Sequence, residues 1–330
     1  MSKPFLPYTH HTITREDAET LIQLLGSGQP LTQGPTVKGF ETLLCSLTGA
    51  PHAVVVNSGT AALELAYAIL YPPGAVLSMP AISFVATANA ALNVGLGVRF
   101  KDVSPRTGLV MEDCDVGVEL GGQPTTHRHT VVDACHSLRY DANAQVTILS
   151  FHPAKHIACG EGGAILTGNA EIADRARLLR SHGRDGERMV ALGKNYRMPD
   201  LNACLGITQG FYAKERIEKR KVVAGWYDAA FDGSDDILPV AHSADSHRHL
   251  YQVRLRDRDR VRDALKAVGI GTAIHYPVIP DQPYYVSQFG QAAGLGWARD
   301  FAAQTLSLPL FPGMKESDVS RVVDALKEAL

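Results

Sequence analysis

HAVVVNSGTAALELAYAIL, residues 52–70, joins two hydrophobic patterns through three small residues. Residues 52–57 make a short run whose interior, 53–56, is apolar and valine-rich, which reads as a buried strand. From Ala61 onward the residues are helix formers whose apolar positions recur at helical period. The same order returns downstream. AVLSMP (75–80) leads to SFVATANAALNVG (83–95), then GVRFKDV (97–103), and TVVDA (130–134) and VTILSF (146–151) add strands. Such alternation predicts an α/β fold with a mostly parallel sheet flanked by helices.

Before this unit, TREDAETLIQLL (14–25) carries Thr14 and Asp17 at capping-box spacing and places Leu21, Ile22 and Leu25 on one helical face, ending at Gly26. After Arg197 the texture changes. A long helical stretch from Asp200 to about Trp226 is followed by a strand HLYQVRL (249–255), a helix near 258–268, a strand GTAIHY (271–276) and a last helix from Glu316. The chain therefore divides into a large domain, 1–210, and a smaller α+β carboxyl-terminal domain, 211–330. One spacing is tight. Only six residues separate VGVELGGQ (116–123) from TVVDA, whereas a parallel crossover ordinarily takes about a dozen or more, and VSPRTGLVMED (103–113) is also short. No full helix fits between 123 and 130. One sheet face is thus expected to be thinly covered by helices and to take cover elsewhere, a second subunit being one source.

Composition narrows the partners. The 330 residues are 45% hydrophobic, with 32 Lys and Arg against 34 Asp and Glu and no long like-charge run, so neither nucleic acid nor an anionic membrane is indicated. Small molecules are the expected ligands. Cys45, Cys114, Cys135, Cys159 and Cys204 are scattered without a CxxC pair, which argues against a disulfide framework and a zinc site. The pairs His10/His11, His127/His129 and His247/His249 lack an acid or cysteine at metal spacing and read as surface residues, so no metal is expected. No stretch reaches about 18 uninterrupted apolar residues, and the reading is of a cytoplasmic protein.

Chemistry concentrates in three places. NSGTAAL (57–63) opens a helix with free amides, where a phosphate is favoured and Ser58 and Thr60 add hydroxyls; a capped helix start is the alternative. VVDACHS (131–137) sets Asp133 at the carboxyl end of a strand, where ligands bind in open α/β sheets; a helix cap is again the alternative. SFHPAKHIACGEGGAIL (150–166) sets Lys155 between a strand and a glycine-rich turn. Phosphate cup, acid and lysine are what pyridoxal phosphate (PLP) needs: the acid keeps the pyridine nitrogen protonated, and the lysine forms an imine with the aldehyde.

NSGTAAL, PAISFVATANAAL, VVDACHS, SFHPAKHIACGEGGAILT, RSHGR, GKNYRMPDLNACLG and SLPLFPGM, in that order, resemble the DegT/DnrJ/EryC1/StrS sugar aminotransferases, PLP-dependent transferases of fold type I. LTQG (31–34) and HYPVIPDQPYY (275–285) make the chain most similar to the nucleotide-sugar 4-aminotransferases, particularly those of the pseudaminic acid pathway that act on a UDP-linked 4-keto-6-deoxy-N-acetylhexosamine. The UDP-4-keto-arabinose type is the nearest competitor. The resemblance implies Lys155 as the catalytic lysine that moves a proton between the cofactor and the sugar carbon, with L-glutamate as amino donor. It implies Asp133 at the pyridine nitrogen, His136 near the ring 3-oxygen, and Phe84 stacked on the ring. Gly59, Thr60 and Ser150 match the phosphate cup. Asn195 of GKNYR matches a residue reaching the phosphate from the other protomer, which implies a homodimer with shared active sites.

The remaining residues weigh less. His152 and His182 read as candidates to face sugar or phosphate, or as ordinary hydrogen-bonded histidines; Cys159 reads as a packed small residue. Two departures from the family pattern stand out: Val132 occupies a position where many relatives have an acid, and the connections flanking GGQP are short. Lys155 argues against a related dehydratase, which has histidine there. A non-catalytic regulatory protein on the same fold is the reading of a different class. A Rossmann dehydrogenase is disfavoured because no GxGxxG follows a strand.

Overall fold

The computed structural model describes residues 4–330. The amino-terminal half runs α1 (Arg15–Gly26), α2 (Pro35–Thr48), β1 (His52–Val56), α3 (Gly59–Leu70), β2 (Val76–Pro80), α4 (Ala86–Asn93), β3 (Gly97–Lys101), β4 (Cys114–Val118), β5 (His129–Asp133), β6 (Val146–Ser150), β7 (Gly163–Thr167), α5 (Ala170–Arg180) and a ribbon of β8 (Arg184–Asp185) and β9 (Arg188–Met189). The rest comprises α6 (Asp200–Phe211), α7 (Ala213–Phe231), β10 (Leu238–Pro239), β11 (Tyr251–Arg254), α8 (Arg258–Ala267), α9 (Pro283–Phe289), α10 (Gly296–Gln304), β12 (Thr305–Leu308) and α11 (Glu316–Glu328).

The central sheet has the order β1-β7-β6-β5-β4, with β4, β5 and β6 parallel and β7 antiparallel to both its neighbours. The parallel pair β2-β3 lies beyond β4. There Asp115 replaces part of a backbone ladder, its Oδ2 accepting from the Ser78 amide and hydroxyl at 2.8 and 2.6 Å. Strand side chains alternate between two helical layers. Val54, Val56, Ile148 and Ile165 pack with residues of α3, α4 and α5, whereas Val55, Leu149, Ala164 and Leu166 pack with α2 and α6. Because both faces are covered, the strands are apolar throughout rather than alternating. A third apolar cluster joins α7, α8 and α11 to the antiparallel sheet β10-β11-β12.

The tight spacings behave as physics requires. Residues 119–128 link β4 to β5 with a single 3-10 turn, Leu120–Gly122, and no α-helix. Its cover comes from the same chain: the amides of His247 and His249 donate to the carbonyls of Gly122 and Gly121, both at 2.9 Å. Gly121 and Gly122 stand at φ 68° and 89°, a region glycine enters without steric cost.

Several expectations need correction. The helix foreseen from Asp200 to Trp226 breaks at Tyr212 into α6 and α7. GTAIHY forms no strand beyond a bridge from Ala273 to Ser307. In α1 the capping box of Thr14 and Asp17 is present, but Leu24 is the buried leucine, while Ile22 and Leu25 are exposed. Helices α2 and α5 went unforeseen, although Pro35 at the start and left-handed Gly49 at the end mark α2.

Candidate active site

The carboxyl ends of β4, β5 and β6 and the amino terminus of α3 open on one cleft of about 550 Å³. Ser58, Gly59, Thr60, Phe84, Asp133, His136, Ser150 and Lys155 all line it. Asn195 does not; it is exposed on the strand-like run after β9, its carbonyl accepting from Asn57 Nδ2 at 3.4 Å.

At one end Ser58 caps α3, its Oγ accepting from the Ala61 amide at 3.0 Å. The capped-helix reading therefore holds for this oxygen. It leaves the amides of Gly59 and Thr60 without a partner among the described residues, at the positive end of a twelve-residue helix. The cradle is close-fitting: a Cβ on Gly59 would lie 3.1 Å from Ser150 Cβ and 3.3 Å from Cys135 Sγ.

Asp133, 6% exposed, is held at both oxygens. Thr87 Oγ1 donates to Oδ2 at 2.7 Å, and the Cys135 amide donates to Oδ1 at 3.2 Å. Thr87 in turn shares a 2.6 Å hydrogen bond with Ser83, so two hydroxyls of the Phe84 turn steady the carboxylate.

Lys155 forms no ion pair among the described residues. It keeps partial contact with solvent through the cleft, yet burial pushes its pKa down, with Cys135 and Asp133 opposing and Arg220 assisting. Desolvation favours the uncharged amine, the form able to act as nucleophile or base.

The histidines are less superficial than the sequence suggests. His249 and His129 are each 6% exposed, and His247 Nδ1 accepts from the Leu138 amide at 3.0 Å. His249 lies against His136, ring centroids 4.3 Å apart, and belongs to the cleft wall. His10 and His11 remain exposed, and among the described residues no group of three ligands suits a metal. His152 lines the cleft, His182 does not, and Cys159 is packed at 2% exposure. Tyr8, Thr87, Cys135, His275 and Tyr276 are wall residues to which sequence reasoning gave no firm role. For Tyr276 the signal was present in HYPV, since a tyrosine beside a proline-ended loop suits a pocket rim as well as a core.

Unpaired helix amides for a phosphate, a fixed carboxylate for a pyridinium, an aromatic ring and an unpaired lysine fit PLP. On a three-layer α/β/α fold this set defines the PLP-dependent transferases of fold type I. The chain belongs to the DegT/DnrJ/EryC1/StrS aminotransferase family, whose sequence profile matches residues 11–114 and 130–327. Residues 115–129, the gap between the two matched segments, span most of β4, the short β4–β5 connection and the first residue of β5. The chain is 32% identical over 364 aligned residues to the UDP-4-amino-4,6-dideoxy-N-acetyl-β-L-altrosamine transaminase of Campylobacter jejuni, covering 97% of this chain and 96% of that protein. Helicobacter pylori PseC, an aminotransferase involved in the biosynthesis of pseudoaminic acid, superposes with a TM-score of 0.90 at 25% identity over 98% of this chain and 99% of that one. The PLP form of Streptococcus pneumoniae Spr1654 superposes at 0.91, with 25% identity and all of both chains covered.

Proposed function

We propose that this aminotransferase moves an amino group from L-glutamate to the C4 keto group of a nucleotide-linked sugar, a UDP-linked 4-keto-6-deoxy-N-acetylhexosamine, for pseudaminic acid or a related surface glycan. The observation that carries the reading is the pairing of an unpartnered Lys155 with a doubly bonded Asp133 on the walls of one cleft. The Campylobacter transaminase and PseC support the choice of sugar.

In this reading Gly59, Thr60 and Ser150, with Ser58, would hold the phosphate, Phe84 would cover the ring, and Asp133 would face the pyridine nitrogen. Bound PLP supplies an electron sink that makes the neighbouring C–H bond acidic. Lys155, whose charged form burial disfavours, would take the proton from that carbon of the amino donor and deliver it to the adjoining carbon of the cofactor. Thr87 and Cys135 donate to the two oxygens of Asp133 and hold the carboxylate in place. Phe84, Tyr276 and His249 line the cleft walls around the site of the exchange. Asn195, exposed here, is assigned to a partner's phosphate site in a homodimer with shared active sites.

The division into 1–210 and 211–330 is likewise a proposal, supported by the separate cluster of α7, α8 and α11. Leu6 sits in that cluster and pairs with Ile270, which argues that the segment around Leu6 travels with the smaller part. To test the function, the PLP-loaded protein is converted by L-glutamate to its pyridoxamine form and challenged with keto-sugar nucleotides. Rapid recovery with the UDP-4-keto-N-acetylhexosamine supports the proposal; recovery only with a UDP-4-keto-pentose or a 3-keto sugar refutes it.

A further inference from the structure

Both ring nitrogens of His136 are engaged inside the chain. The Gly121 amide donates to Nδ1 at 3.1 Å, which requires Nδ1 to be unprotonated. The neutral ring then carries its hydrogen on Nε2, which lies 3.0 Å from Tyr276 Oη and donates to it. Burial, with Lys155 nearby, pushes the His136 pKa well down, in keeping with that tautomer. Tyr276 receives one hydrogen bond and gives none to the chain: no acceptor for its phenolic hydrogen is found among the described residues. Its ring lines the cleft 5.8 Å from Phe84, centroid to centroid, and keeps partial exposure. Burial also pushes the phenol pKa up, so the hydrogen stays on the oxygen.

Resting on the aminotransferase reading above, we propose that Tyr276 is the hydrogen-bond donor this wall presents to an oxygen of the bound ligand, and that His136 acts through it as a positioning residue. A donor with only an acceptor bond satisfied is poised for an oxygen on the ligand. Two oxygens offer the same chemistry: the ring oxygen of the cofactor and the keto oxygen of the sugar. The Gly121 turn exists in this form because the short β4–β5 connection folds onto residues 247–249, so the chain's shortened segment sets the tautomer of His136.

The test compares the full-length PLP-loaded protein with Tyr276→Phe, His136→Asn and the double variant. Three quantities are read: PLP affinity, the pH titration of the cofactor's absorbance, and the rates of the glutamate and keto-sugar half-reactions. Losing one donor is expected to cost about ten-fold. If the acceptor is the cofactor oxygen, Tyr276→Phe shifts the absorbance titration before any substrate is added. If it is the sugar oxygen, the titration holds and only the keto-sugar half-reaction slows. In either case His136→Asn lowers the same quantity, and the double variant is no worse than Tyr276→Phe alone, since the two residues act in series. An unchanged titration together with unchanged half-reactions in Tyr276→Phe overturns the proposal, as does full additivity in the double variant. If Tyr276→Phe is too unstable to load, His136→Asn decides on the same readouts, and no change in any of them overturns the proposal. A parent that binds PLP but aminates no sugar refutes the function above; the absorbance titration alone then judges Tyr276, and no shift overturns it.

Discussion

Thr87 Oγ1 lies 2.7 Å from Asp133 Oδ2, joining the first turn of α4 to the carboxyl end of β5 across the floor of the cleft. Thr87 is 1% exposed and has no access to water of its own, so its hydroxyl is committed to the carboxylate and to Ser83. Replacing it with the isosteric valine removes one donor from a charged acceptor, an interaction worth about 1.5–3 kcal/mol. Thr87→Val is expected to bind PLP at least about ten-fold more weakly, and Thr87→Ser to restore the affinity. Fluorescence titration checks this. Equal behaviour of valine and threonine would remove Thr87 from the account.

The same contact shows what the sequence could and could not reveal. Asp133, Lys155 and the SGT turn were legible because each sits at a strand end, where composition changes abruptly and few residue types serve. Thr87 was not, because its partner lies 46 positions away and the helix face that carries it is fixed only once α4 packs beside β5. Tyr276 and His249 come from the carboxyl-terminal part and meet the cleft through loops that carry no period. The short β4–β5 connection was readable from residue count alone, but its cover was not: residues 247–249 of the same chain seal Gly121 and Gly122. That contact also buries His249, at the head of the mostly apolar run 250–255.

Gly163 supports the turn of Ser58 and Gly59 from behind. A Cβ there would lie 2.5 Å from the Ser58 carbonyl carbon and oxygen and 2.6 Å from the Gly59 amide nitrogen, all backbone atoms with nowhere to move. Gly163→Ala is expected to cost roughly 1–3 kcal/mol in stability and to weaken PLP binding. Gly225 in α7 has nothing within 4 Å of such a Cβ, so Gly225→Ala is expected to stabilise by up to about 1 kcal/mol. Urea denaturation of both variants measures the contrast.

Glu119 brings a pH dependence. It is 1% exposed, and burial pushes its pKa up to about 7 despite Arg139 Nε at 3.1 Å. The folded state therefore binds this proton more tightly than the unfolded chain, and the stability it contributes is present below about pH 4.5 and lost as pH rises toward 7. The loss is on the order of 3 kcal/mol at most. Glu119→Gln, neutral at every pH, is expected to flatten that decline, so that its melting temperature at pH 8 matches or exceeds the parent's. A steeper decline in the glutamine variant would contradict the sign.

The proposed shared-site homodimer leads to a complementation test. If Asn195 serves the partner's cleft, a mixed dimer of Lys155→Ala and Asn195→Ala chains carries one site with both residues intact. Mixing the two inactive proteins under subunit exchange should restore up to about a quarter of parental activity, one good site in half of the dimers. No recovery despite proven exchange would place Asn195 with its own cleft or outside both.

The amine of Lys155 carries the proposed chemistry. In the full-length protein loaded with PLP, addition of L-glutamate should convert the cofactor's long-wavelength absorbance to that of the pyridoxamine form within a catalytic turnover time. Lys155→Ala, still able to bind the cofactor, should convert at least about a thousand-fold more slowly, since it lacks both the base and the covalent anchor. Conversion of Lys155→Ala at the parental rate would contradict the account directly.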